Sequence, residues 1–215
     1  NTDGSLLFTT ACVYGGPSNT LDDCGNPNAA ITGGATSAGA SYDFDNGFSA
    51  AVGLQTSNTS VITEESQDKY ALNAAYIADN YGLSLTYANA ENAALTDDDT
   101  ATSLQGYYTP EGGFPSISVG YEVGELGAAA ADVDTFTSFF VGLSWDEVGP
   151  GTAGIAFGTK TPTVEGSDEQ YMYEAYYSYD LNDGMSVTPL IYVKENSATG
   201  VDDETGLMVK TSFSF

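Results

Sequence analysis

The chain has 215 residues, with 30 Asp plus Glu against 4 Lys plus Arg and a formal net charge of −26. All four cations are lysines and histidine is absent, which excludes a Ser-His-Asp triad, a Cys-His dyad and any histidine-ligated metal. So acidic a surface repels nucleic acid, whose binding needs clustered Lys and Arg, and attracts small cations; no enzyme activity, cofactor or metal is expected.

Period-two alternation runs from about residue 35 to the end and predicts strands. Ala38, Ala40, Tyr42 and Phe44 alternate with Ser37, Gly39, Ser41 and Asp43. After "DNG" come Phe48, Ala50, Val52 and Leu54, then Tyr70, Leu72, Ala74 and Tyr76. "ADN" leads to Tyr81, Leu83, Leu85 and Tyr87, followed by a weaker strand, "SLQGYY". "TPEGG" separates it from Ile117, Val119, Tyr121 and Val123. Phe139, Val141, Leu143 and Trp145 precede "EVGPG", after which stand Ala153, Ile155 and Phe157. Tyr171, Tyr173, Ala175, Tyr177 and Tyr179 precede "LNDG" and then Val187, Pro189, Ile191 and Val193. Leu207, Val209, Thr211, Phe213 and Phe215 close the chain. With a candidate strand at 5–13, the total is about twelve.

The connections alternate between short turns and long polar segments, roughly 56–68, 89–101, 124–134, 160–168 and 194–205. A transmembrane antiparallel β-barrel has this layout, with tight periplasmic turns and long external loops. No run of about 18 apolar residues occurs, so no transmembrane helix is expected. One phase of each strand is bulky and apolar and suits lipid; the other is Gly, Ser, Thr and Ala with a few charges and suits a watery lumen. Rings sit beside the short turns (Phe44, Phe48, Tyr76, Tyr81, Tyr108, Trp145, Tyr179, Phe215) and near the opposite ends (Tyr70, Tyr87, Phe139, Phe157, Tyr171), as two interfacial belts would. The alternative is a soluble acidic β-sandwich binding module, whose strands also alternate but whose turns need not.

With the apolar phase facing lipid, the strand charges fall in the lumen phase: Lys69, Lys160, Lys194 and Lys210, with Asp43, Glu122, Asp146, Glu174 and Asp180. Facing lipid, a lysine would cost about 2–4 kcal/mol at mid-bilayer. Lys160, Glu174, Lys194 and Lys210 are expected to form a charged ladder in the outer half of a pore. The acidic loops "LDD", "TEES", "TDDDT", "EGSDEQ" and "VDDET" suggest a cation-preferring vestibule. Asp97, Asp98 and Asp99, or Asp202, Asp203 and Glu204, lack EF-hand spacing and read as solvated acid rather than calcium sites. Cys12 and Cys24 are expected to form a disulfide. It would staple the longest loop, roughly 14–34, and either stabilise that loop or hold it in or over the pore.

"LNDGMSVTPLIYVKENSATGVDDETGLMVKTSFSF" resembles the C-terminal end of cyanobacterial outer-membrane porins, the carbohydrate-selective or iron-uptake porin family. Ser186, Val187, Thr188 and Pro189 carry the likeness in one strand; Lys210, Thr211, Ser212, Phe213 and Phe215 carry it in the last. Gly158 and Pro162 match a second stretch; Glu174, Ala175, Tyr176, Tyr177 and Asp183 match a third. Leu190 stands where that family often has glycine, and with the heavy acid content suggests a marine relative. The resemblance implies a passive diffusion channel for ions and small solutes in the outer membrane of a Gram-negative-type bacterium, in contact with lipid and lipopolysaccharide. It further implies a homotrimer, tethering to peptidoglycan through an N-terminal S-layer-homology domain, and an assembly signal at Phe213 and Phe215. Residues 1–215 are then expected to be one barrel domain, the C-terminal part of about 16 strands, with a complete 12-stranded barrel as the alternative. A structural barrel that anchors the envelope and conducts little is a further alternative.

Overall fold

In a computed structural model of the chain, the described residues are 7–16, 21, 24–25, 29, 36–56, 67–91, 98–127, 134–160, 162–182, 184–196 and 200–214. Phe215, Asp97 and Asp183 lie outside them. The strands are β1 (Thr36–Asp43), β2 (Phe48–Thr56), β3 (Asp68–Ile77), β4 (Tyr81–Ala90), β5 (Asp99–Tyr108) and β6 (Ser116–Leu126). They continue as β7 (Asp134–Val148), β8 (Gly151–Thr159), β9 (Thr163–Val164), β10 (Tyr171–Asn182), β11 (Met185–Lys194) and β12 (Glu204–Phe213).

All twelve belong to one antiparallel sheet, in which each strand pairs with its successor except that β8 pairs with β10. Short β9 instead pairs with the outer end of β7, Phe136 opposite Val164. One sheet, rather than two packed face to face, removes the sandwich alternative. β1 and β12 are its edges and are not paired with each other.

The tight turns follow from their residues. Asp45 and Gly47 take left-handed φ of 56° and 88° between β1 and β2, a region open to Asp and Gly at little cost. Asn46 Oδ1 accepts the Phe48 N–H across the same turn. Gly149 and Pro150 alone join β7 to β8, with Gly149 at φ 62°.

Polarity across the sheet is inverted relative to a water-soluble protein. On β4, Tyr81, Leu83, Leu85 and Tyr87 are exposed, whereas Gly82, Ser84, Thr86 and Ala88 are buried. β6 repeats this, with Ile117, Val119, Tyr121 and Val123 exposed and Ser116, Ser118, Gly120 and Glu122 buried. Each exposed Leu or Val forgoes about 1.5–3 kcal/mol of burial in water; acyl chains remove that penalty. The rings cluster at both ends of the outward face. Phe48, Tyr76 and Tyr81 touch beside the short turns, and Phe139, Phe157, Tyr171 and Tyr173 touch at the far end.

The expected strand at 5–13 is not one: residues 7–13 have no strand pairing. Their backbone runs across the polar face of the sheet, where side chains rather than a neighbouring strand satisfy it.

Candidate functional site

The inward face of β2–β10 is a polar cradle for the segment that begins at Leu7. Thr9 N–H donates to Asn73 Oδ1 at 3.0 Å, and Asn73 Nδ2 donates back to Thr9 O at 3.1 Å. Ala11 N–H donates to Ser84 Oγ, and Val13 and Tyr14 N–H share Ser118 Oγ. Gln105 Nε2 donates to Cys24 O, and Ala29 N–H donates to Glu122 Oε2 at 2.7 Å. Tyr14 Oη donates to Glu174 Oε1 at 2.7 Å, on β10. Buried backbone polar groups need partners; an irregular segment has no ladder, so Ser, Asn, Gln and Glu on the sheet replace it.

The segment thus reaches along the inward face from β3 to β10, strands that are six steps apart in the sheet.

Two apolar clusters fill the space between. Phe8 and Ala29 pack with Ala51, Ala71, Ala88, Ala101 and Phe136. Tyr14, Leu21 and Cys24 pack with Phe140, Ala156 and Met172. The Tyr14 ring lies 5.3 Å from Phe140 and 5.8 Å from Tyr176, centroid to centroid. Burial, and then the hydrogen bond to the Glu174 carboxylate, push the Tyr14 phenol well above its usual range. Cys12 and Cys24 form the expected disulfide.

The charged positions named from the sequence do not form one group. Glu122 and Glu174 are 0 % and 2 % exposed, closed in beneath the segment. Lys69 is close enough to Glu122 to feel its charge and borders a cavity of about 100 Å³ with Asp99, Leu126 and Phe136. Lys160 Nζ donates to Gln170 Oε1 and Glu195 O, and Lys194 Nζ stands 4.9 Å from the centre of the Tyr192 ring. Lys210 pairs with Thr188, whereas Lys194 pairs with Glu204. Six residues of β12 thus separate Lys210 from Lys194's level, about 20 Å, so the four-membered ladder is not a single row. Asp43 pairs with Ser49 and Asp180 with Ser186, both near short-turn ends. Asp146 is exposed, in the β7 bulge beyond the Trp145–Ala153 pair. Phe213 is outward and exposed. Asp203 Oδ1 accepts the Asn196 N–H and Glu204 Oε1 accepts the Tyr192 hydroxyl; among the described residues no Asp/Glu/Cys group is arranged for a metal.

Sequence reasoning missed the bulky residues of the inward phase: Phe136, Phe140, Met172, Tyr176 and Leu190. A lumen open to water has no use for them. Their presence was the available signal that protein covers that face.

Residues 8–199 match the family model described as Gram-negative porin. The chain belongs to that family. Such porins are passive channels of the outer membrane, not enzymes. A solved porin, from a structure refined at 1.8 Å, superposes with a TM-score of 0.62 at 23% identity. The match covers 82% of this chain and 60% of that one, so the chain spans about three-fifths of that porin's length. No curated protein matches. Among the described residues of this porin, no helix is long and apolar enough to cross a membrane; its strands carry the apolar surface.

Proposed function

We propose that the chain forms most of the wall of a water-filled pore that passes inorganic ions and small hydrophilic solutes by diffusion. The inverted polarity of the sheet carries this reading: Leu, Val, Ile and aromatic side chains face outward, and Ser, Asn, Gln and Glu face inward. The segment held by the Cys12–Cys24 disulfide narrows that pore from within. The water path runs along the uncovered inward face, where β1 and β12 leave Asp43, Glu204 and Lys210 exposed. Lys194 borders it. Glu122 and Glu174 belong to the wall that holds the segment.

Several finer features belong to the same proposal. The unpaired edges β1 and β12 are bridged by further strands of the same barrel, giving about 16 in all. The net charge of −26 favours cations in the vestibule. An assembly signal at Phe213 and Phe215 rests on the resemblance of the last strands. A homotrimer, contact with lipopolysaccharide, a peptidoglycan tether and a marine cyanobacterial source rest on the resemblance of the C-terminal strands.

The test is conductance of the full-length protein in planar bilayers across a salt gradient. Discrete current steps with a cation-signed reversal potential are expected. Stable insertion without steps would favour the anchoring barrel; steps with anion preference at low salt would remove the cation claim alone.

A further inference from the structure

The described residues of the segment are attached to the two sides of the sheet differently. Toward β3–β6 they hydrogen-bond to Asn73, Ser84, Ser118, Gln105 and Glu122. Toward β10 the attachment is the bond from Tyr14 Oη to Glu174 Oε1, with the Tyr14–Tyr176 ring contact and the packing of Tyr14, Leu21 and Cys24 with Met172 beside it. β10 is followed by β11 and β12, the side on which the inward face becomes exposed. That bond therefore sits where the segment meets the open side. It is well suited to hold: the acceptor is 2 % exposed and the donor 5 %, so water does not compete for either. Among the described residues Glu174 Oε2 has no hydrogen-bond partner, and Tyr14 is the side chain that fixes this carboxylate.

We propose that the Tyr14–Glu174 contact is a latch that sets the width of the pore: closed, it keeps the segment against β10, and released, it lets the segment swing toward β3–β6 and widens the path along β11 and β12. The proposal rests on the channel reading above and assigns Glu174 a positioning role in place of a charge read by passing ions. Losing a bond to a charged acceptor raises the released population by about tenfold or more.

The test compares the full-length protein with Tyr14→Phe, Glu174→Ala and Glu174→Gln, each confirmed as folded by its β-sheet circular dichroism. Tyr14→Phe and Glu174→Ala should visit a higher-conductance level about tenfold more often than the parent. Glu174→Gln keeps an acceptor oxygen and should behave as the parent in both current noise and reversal potential. A Glu174→Gln channel with shifted reversal potential and unchanged noise would show that the charge acts on ions directly, and the latch would be wrong. Peroxide oxidation of Met172, fully buried on β10 where the segment packs, provides a readout independent of current. Faster sulfoxide formation at Met172 in Tyr14→Phe, read by mass spectrometry, supports the latch even in a protein that conducts nothing; an unchanged rate overturns it whether or not the protein conducts.

Discussion

The inward face of this sheet has two regions built on one pattern. From β2 to β10 it is closed over by the segment that starts at Leu7; at the short-turn end of β1 and along β12 it is exposed. Both regions alternate with period two, and both place aliphatic or aromatic side chains outward. They differ in what points inward. The covered region mixes Asn73, Ser84, Gln105 and Glu122 with Phe136 and Phe140. The exposed stretches offer Ser41 and Asp43 on one edge, and Gly206, Met208, Lys210 and Ser212 on the other. Alternation thus decides which side a residue faces. The size and hydrogen-bonding capacity of the inward residues decide whether protein or water meets them.

The strongest way to break this comparison is to put the same charge on each kind of surface. Leu85→Arg, in the middle of β4 on the outward face, should destabilise the membrane-inserted fold by about 2–4 kcal/mol. Ser41→Arg, on the bare inward face of β1, should stay within about 0.5 kcal/mol. Reversible urea unfolding from lipid vesicles reads both. Similar costs for the two would mean that the outward face does not meet hydrocarbon. A smaller difference is expected within the inward face. Glu122→Ala strips the acceptor from the Ala29 N–H and should cost about 1–3 kcal/mol, the usual penalty for orphaning a buried partner. Glu204→Ala loses only an exposed bond to the Tyr192 hydroxyl and should leave the same unfolding midpoint. Equal effects would mean that the segment is not docked at Glu122.

The outward face was legible in the sequence because lipid selects every second residue regardless of which strand follows. Val119, Tyr121 and Ile155 reveal their direction locally. The turns were legible for the same reason: "DNG" and "GPG" carry their geometry in two or three residues. What covers the inward face was not legible, since it depends on contacts across more than 60 residues, Thr9 with Asn73 or Tyr14 with Glu174. Period two gave Glu122 and Glu174 their direction but not their depth, so both read as pore charges. The apparent strand at 5–13 misled for a related reason: Leu7, Ala11 and Val13 have strand-like spacing, yet the partners that fix this segment are side chains. Phe140, directly after Phe139, was the visible hint. Two adjacent rings must point to opposite faces, and only one of those faces was expected to be apolar. The fold-back of β9 onto β7 left no hint at all, because "TPTV" is unremarkable in composition and its pairing is set by the length of β7.

The smallest expected effect concerns Tyr14, which divides the two regions. Its phenol is pushed up first by burial and then by the Glu174 carboxylate. In the unfolded chain it titrates near the ordinary 10.0. Below that pH both states keep the proton, and the contribution of Tyr14 to stability is complete. As the pH rises above it, the unfolded chain gains by ionising while the folded protein does not, so that contribution declines. The sign follows: the stability advantage of the parent over Tyr14→Phe should be flat through neutral pH and narrow on the alkaline side. Phenolate absorbance gives the direct check. At about pH 11 the unfolded parent should absorb more than unfolded Tyr14→Phe by one phenolate, and the two folded proteins should absorb alike. A full phenolate of difference between the folded proteins would place Tyr14 in water, with the bare face rather than the covered one.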